Sequence, residues 1–290
     1  MFDVKKTKQE LVEWVRKTVG DCTVVIGISG GKDSSVTAAL CVEALGNDKV
    51  FGVLMPDGEQ KDIDKSLELC HHLGIAYTEV NIGTVTHALR QAIGLSVGAT
   101  IAPFIETADL RQKYITEICG EQTYDKNKYN DVYETNTPAR IRMTTLYGVA
   151  AIIGNARVAN TCNLSEDWVG YSTKFGDSAG DFSPLANLTV SEVKALGYEL
   201  GLPKDLIEKT PTDGMSGKSD EEKLGFSYPV LERYILTGEI DSTEAKDKID
   251  RMHKANIHKM VEMPKFKYRD VDWYNLDGPI GLNLCNDKEM

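Results

Sequence analysis

The chain has 290 residues and carries 33 Lys and Arg against 44 Asp and Glu, a formal charge of −11. With 41% hydrophobic and 27% charged residues it has an ordinary soluble globular composition, and its length buries a large core without metal or disulfide staples. The acidity argues against sequence-independent nucleic-acid binding, no uncharged apolar run approaches the ~20 residues that span a bilayer, and the charged N-terminus lacks the apolar centre of a secretory signal.

The predicted elements alternate. Residues 6–19 read as a helix that puts Leu11, Trp14, Val15 and Val19 on one face. Residues 22–28 form an apolar, β-branched run suited to a central parallel strand. That run passes through Ser-Gly-Gly-Lys-Asp-Ser (Ser29 to Ser34) into a helix over 35–45. A strand over 50–55 ends in the turn Pro56-Asp57-Gly58, followed by a helix over 61–73, a strand over 75–81 and a helix over 85–93. Residues 107–119 read as a helix and 120–134 as a polar loop. Thr137-Pro138 then reads as an N-cap with Pro at the first helical position, opening a helix over 139–153. A last core strand is expected over 156–162, and a Gly- and Asp-rich loop over 170–184. Thr189 with Glu192 and Ser219 with Glu222 match capping boxes, residues 210–218 form a loop of the kind that closes over substrates, and 244–261 read as a charged helix. The alternation predicts an α/β fold, a doubly wound parallel sheet flanked by helices, whose ligands bind beyond the carboxyl ends of the strands. No linker interrupts it, so 1–290 reads as one domain with a helical C-terminal extension over roughly 189–265. The six cysteines (Cys22, Cys41, Cys70, Cys119, Cys162, Cys285) show neither CxxC nor zinc-finger spacing, and read as reduced thiols of a cytoplasmic protein.

The strongest signal is Gly27-Ile-Ser-Gly-Gly-Lys-Asp-Ser-Ser35 between a strand and a helix. Paired glycines let the backbone approach an anion, and the helix behind aims its free N–H groups and positive dipole end there. Ser29, Ser34 and Ser35 add hydroxyl donors. The loop is not a Walker A motif, because Ile26 stands where that motif needs Gly and Asp33 follows Lys32. An acidic residue inside a phosphate site repels its ligand unless a cation bridges them, which makes Asp33 a natural Mg²⁺ ligand.

This loop resembles the SGGxDS pyrophosphate loop of the N-type ATP pyrophosphatases, adenine nucleotide alpha-hydrolase-like proteins that split ATP into AMP and pyrophosphate. The stretch Asn136-Thr-Pro-Ala-Arg-Ile-Arg-Met143 is similar to the N-x-x-A-R-x-R-M stretch of NAD synthetases. So are Asn160-Thr161, Glu166, Gly170 to Asp177, Asp181 to Leu185, Leu188-Thr189, Pro211-Thr212, Asp220-Glu221 and His258-Lys259, in family order. The chain thus resembles the ammonia-dependent NAD synthetases from its first helix to about residue 265. That resemblance implies a ligase forming a C–N bond. ATP adenylates the nicotinate carboxylate of deamido-NAD, and ammonia attacks the acyl adenylate to give NAD, AMP and pyrophosphate. It implies ATP binding by Gly27, Ile28, Ser29, Gly30, Gly31, Lys32, Asp33, Ser34, Thr161 and Thr212, and Mg²⁺ binding by Asp33 and Glu166. It implies deamido-NAD binding by Arg140, Lys174, Asp181, His258 and Lys259, with Asp33 and Lys174 as catalytic residues. It also implies a homodimer with the dinucleotide site at its interface, and no nucleic-acid or membrane partner.

The sequence departs from the family where Asn160 replaces Gly, where Cys162-Asn163 replaces Asp-His, and where Val190 replaces a Lys, for which Lys194 is a candidate substitute. Too few residues precede the first strand to hold a glutamine amidase domain, so free ammonia is the expected nitrogen source. A tRNA sulfurtransferase with the same loop would need CxxC pairs and a basic surface. A sensor that had lost catalysis would be expected to lose Asp33 or Glu166.

Overall fold

A computed structural model describes residues 2–60, 63–101, 131–208, 220–266, 269–270 and 283–284. Four parallel strands, β1 (Thr23–Gly27), β2 (Val50–Leu54), β3 (Ala76–Glu79) and β4 (Ala156–Val158), lie in the order β3-β2-β1-β4. β1 is central because Val24, Val25 and Ile26 are wholly buried, with Val24 paired to Val50 on one side and Arg157 on the other. Successive residues face opposite layers. Val24 and Ile26 pack with α1 (Val4–Val19), α2 (Lys32–Leu45) and α7 (Val190–Glu199). Val25 and Val53 pack with α5 (Asp131–Ile153), which in turn meets α4 (Gly83–Ile101). The chain winds outward from β1 through α3 (Ile63–Leu73) to β3, then returns to add β4 on the other side of β1. The gap between β1 and β4 is therefore the topological switch point, where open α/β sheets bind ligands. The doubly wound architecture expected from the alternation is present.

Several boundaries differ from expectation. α2 starts at Lys32, with Gly31 at its N-cap, so Asp33 lies in the first helical turn. The strand expected over 156–162 ends at Val158, after which Ala159 still donates to Val25 O at 3.0 Å and forms an isolated bridge with Phe182. Thr137 is not an N-cap and Pro138 does not open a helix: α5 begins at Asp131 and contains Pro138. The Thr137 hydroxyl donates to Tyr133 O at 2.8 Å. Pro138 has no N–H for the carbonyl of Glu134, and Arg90 of α4 takes it instead, donating from Nη2 at 2.5 Å while reaching Glu134 Oε2 at 2.8 Å. A buried guanidinium on another helix thus repairs the bond that proline breaks, and residues 131–134 are helix rather than loop.

Beyond β4 come α6 (Leu164–Val169), a six-residue helix not anticipated, then α7, α8 (Lys204–Ile207), α9 (Asp220–Leu224), α10 (Tyr228–Thr237) and α11 (Thr243–Asn256). α11 ends five residues before the expected Val261, passing into a 3-10 turn over Ile257–Lys259. The Thr189–Glu192 capping box is complete. α7 and α8 join the sheet core through Val193, Leu196, Leu206 and Ile207, whereas Val169, Leu224, Leu231 and Ile249 form a separate cluster. Among the described residues no helix is long and apolar enough to cross a membrane, and Cys22, Cys41, Cys70 and Cys162 are free and buried. The expected helix over 107–119, the loops over 120–130 and 210–218, the Ser219 cap, Cys119, Cys285 and Thr212 lie outside the described residues.

Candidate active site

Gly27 ends β1, and a Cβ there would sit 3.1 Å from Met55 Cε. Gly30 has φ +69°, and a Cβ on it would lie 3.0 Å from both Lys65 Cβ and Ser66 N. Only glycine tolerates that backbone and that approach to α3. Ile28 N donates to Val53 O at 3.0 Å, tying the start of the loop to β2. The serines hold the cradle's own shape: Ser34 Oγ and Ser35 Oγ donate to Gly31 O at 3.1 and 2.8 Å, and Gly31 N donates to Ser29 Oγ at 3.3 Å. The expected hydroxyl donors of Ser34 and Ser35 thus brace the N-terminus of α2.

The charged residues meet across the switch point. Lys32 is only 2% exposed, its Nζ lying 2.7 Å from Asp33 Oδ2, 3.9 Å from Glu166 Oε1 and 5.9 Å from the Tyr228 ring centre. Asn163, fully buried, ties the two halves together. Its Nδ2 donates to Asp33 Oδ1 at 3.0 Å and its Oδ1 accepts from Glu166 N at 3.1 Å, capping α6. Among the described residues no group of three or more His, Cys, Asp or Glu is arranged for a metal ion. Mg²⁺ nevertheless fits this pair of carboxylates, because it takes one or two hard oxygen ligands from protein and the rest from phosphates and water.

The segment from Asn160 to Ser183 forms the opposite wall. Asn160 Nδ2 donates to Asp177 O at 2.8 Å and Ala179 O at 3.3 Å, and its Oδ1 accepts from Cys162 N and Ser183 Oγ, both at 2.9 Å. The Asn in place of glycine thus stitches the loop to the end of β4. Burial, reinforced by the charges of Asp177, Glu166 and Asp167, pushes the Cys162 thiol well up, so it stays protonated and donates to Asp177 O at 3.3 Å. Val190, where the resemblance leads one to expect Lys, packs in the separate cluster with Val169 and Leu231, and Lys194 is bound to Glu208 at 2.8 Å. Thr161 follows β4 at the carboxyl edge, half-buried.

Of the residues expected at the dinucleotide, three are linked directly. Arg140 Nε donates to Lys174 O at 3.3 Å, and Lys174 Nζ donates to His258 O at 2.6 Å. Lys259 Nζ donates to Gly170 O at 2.8 Å and Ser172 O at 3.0 Å, and burial lowers the pKa of its ammonium. Asp181 secures β4, accepting from Val158 N at 2.7 Å and from Tyr147 Oη at 3.3 Å. Three features escaped sequence reading. Arg142 donates Nε to Met55 O at 3.1 Å within the field of Asp57 and Asp177. Tyr228 lies beside Lys32. An open pocket of about 390 Å³ lies beyond β2 and β3, lined by Pro56, Gly58, Glu59, Gln60, Ile63 and Glu79. Its signal was the Pro56-Asp57-Gly58 turn, placed at a strand's carboxyl end.

A parallel sheet with a glycine anion cradle at its switch point, and acidic residues on both sides of it, defines a nucleotide-binding α/β protein of the ATP pyrophosphatase type. More closely, the chain belongs to the NAD synthase family, whose model matches residues 4–102 and 101–271. It is 36% identical over 261 residues to the NH(3)-dependent NAD(+) synthetase of Methanocaldococcus jannaschii, covering 88% of this chain and 85% of that one. The NH(3)-dependent NAD(+) synthetase of Alkaliphilus metalliredigens is 33% identical over 268 residues, covering 91% and 98%. Among solved structures, NMN synthetase from Francisella tularensis superposes with a TM-score of 0.74 at 29% identity, covering 92% of this chain and 100% of that one. An NH3-dependent NAD synthetase from Campylobacter jejuni gives 0.64 at 26% identity, covering 91% and 99%.

Proposed function

We propose that this chain is an ammonia-dependent NAD synthetase: it adenylates the nicotinate carboxylate of deamido-NAD with ATP and transfers ammonia to the acyl group, releasing NAD, AMP and pyrophosphate. The observation that carries the reading is the Lys32–Asp33–Asn163–Glu166 constellation facing an open anion cradle at the switch point, in a chain of this family.

A carboxylate resists attack by an amine, and esterifying it with AMP supplies a leaving group. The chain's task is to hold the triphosphate so that the α-phosphorus faces the acid. Main-chain N–H groups of the loop and the N-terminus of α2 receive the β- and γ-phosphates. Lys32 adds a buried positive charge, which steadies the departing pyrophosphate. Asp33 and Glu166 would hold Mg²⁺, which when bound offsets the charge of those phosphates. The cavity beyond β2 lies on α3, which also packs on Gly30, and suits the adenine base. The 170–177 loop with Arg140, Lys174 and His258 forms the deamido-NAD side, and Lys174 supplies a cation to the reacting carboxyl. Thr161, Asp181, Lys259 and Thr212 keep the roles that the resemblance implies.

We read 1–290 as one domain, supported by α7 and α8 entering the sheet core. We read the protein as a cytoplasmic homodimer. Support for pairing comes from α4 and α5, which leave Val85, Leu89 and Ile152 exposed, Ile152 at 88%.

A second reading, amidation of nicotinate mononucleotide, is favoured by the similarity to the Francisella protein. Incubation with ATP, Mg²⁺, ammonium and either acid separates the two. The first reading predicts NAD and AMP in equal amounts and a higher kcat/KM for deamido-NAD. Preference for the mononucleotide establishes the second, and no amide from either acid contradicts both. In the same assay Asp33→Asn should retain its fold and lose about 10²-fold or more in kcat.

A further inference from the structure

Three side chains spaced by three along α11 and its 3-10 extension, His253, Asn256 and Lys259, meet consecutive carbonyls at the end of α6. α6 closes with Tyr171 N on Glu166 O at 2.9 Å and Gly170 N on Asp167 O at 3.0 Å. That closure leaves the Trp168 and Val169 carbonyls without a helical partner. His253 Nδ1 lies 2.7 Å from Trp168 O with its ring stacked on the indole at 4.4 Å. Asn256 Nδ2 donates to Val169 O at 3.2 Å and to Met252 O at 2.9 Å, so both amide hydrogens are engaged and the side chain is locked. Lys259 takes the Gly170 and Ser172 carbonyls. The two segments approach so closely that a Cβ on Gly170 would lie 2.1 Å from Asn256 Cβ. Lys174, four residues past Gly170, returns a bond to His258 O.

We propose that Asn256, seconded by His253, is a positioning residue for the deamido-NAD side of the site: from α11 it fixes the 170–177 loop that carries Lys174, without touching the reacting atoms. The proposal rests on the function proposed above. Such a residue bears mainly on one substrate, because it grips the C-terminal end of α6 and the loop beyond it, whereas the phosphate cradle of α2 meets α6 at its opposite end, through Asn163.

The test compares Asn256→Ala with Asn256→Asp, which keeps the shape but puts an acceptor where Val169 O needs a donor. Both variants should raise the KM for deamido-NAD about tenfold, the Asp variant at least as much, while the KM for ATP changes less than about twofold. Hydrogen exchange of the 170–177 amides should speed up in both, and that of α2 should not change. If Asn256→Ala does not fold, His253→Phe, which keeps an aromatic ring against Trp168 and removes the bond to its carbonyl, carries the same two readouts. A wild-type KM in Asn256→Asp, an equal loss for both substrates, or unaltered exchange of the loop would overturn the proposal. A wild-type chain that amidates neither acid defeats the functional reading instead, and loop exchange then decides the role of Asn256 alone.

Discussion

Asn163 shows how one neutral side chain organises two charged ones. Its amide donates to the Asp33 carboxylate and its oxygen caps the helix of Glu166, so the carboxylates approach the cradle from two elements in a fixed relation. An aspartate at this position would face Asp33 with a like charge. Four residues past the cap of α6, that economy of charge fails at Asp167. Its Oδ1 is buried without a hydrogen-bond partner, and burial, reinforced by the charge of Asp177, lifts its carboxyl from 3.8 to about 6. The folded chain therefore takes up this proton as pH falls through about 6, whereas the unfolded chain takes it up near 3.8. The contribution of Asp167 to stability is fully favourable below the unfolded value and is lost as pH rises through the folded one. Asp167→Asn should accordingly be more stable than the parent at pH 8 by about 1 kcal/mol, an amount discounted for partial solvent exposure. The gain should shrink as pH falls from about 6 toward 4. Urea unfolding across that range, in EDTA, measures it, and a pH-independent gain would show that Asp167 does not titrate there.

α6 is the element on which the two halves of the site turn. It is fastened at its start to Asp33 through Asn163 and at its end to α11 through Asn256 and Lys259. Gly170 terminates it in the left-handed region at φ +63°. Gly170→Ala would add that backbone strain to a collision with Asn256 Cβ, and should destabilise the chain by about 3 kcal/mol or more. A loss below about 1 kcal/mol in chemical denaturation would show that the two segments can part freely. The elements that sequence reveals are those specified locally. The run into β1, the glycine turn into α2 and the Thr189 capping box are all written in adjacent residues. α6 was not legible, because six residues show too little periodicity to mark a helix. The start of α5 was misread because Thr-Pro is a sound local helix opening, and only Arg90, 44 residues before Glu134, supplies the partner that lets the helix run through Pro138. The loop after β4 was expected, but not the way Asn160 binds it, since its partners at Asp177 and Ala179 become neighbours only in the fold.

In the whole molecule the switch point brings charges of both signs together in an acidic chain. The formal charge is −11, and at the cradle a helix N-terminus and a buried lysine stand against the Asp33 and Glu166 carboxylates, so a polyanionic nucleotide binding there calls for a cation to bridge it to those two acids. The proposed transfer of AMP to a carboxylate makes one demand that no simple hydrolysis of ATP shares: an oxygen of the acid must leave with AMP. Deamido-NAD labelled with ¹⁸O in its nicotinate carboxylate, turned over with ATP, Mg²⁺ and ammonium, is the direct test. The account predicts one ¹⁸O in the phosphate of each AMP formed, matched to NAD, with unlabelled pyrophosphate. Unlabelled AMP, or the appearance of ADP with labelled inorganic phosphate, would contradict it.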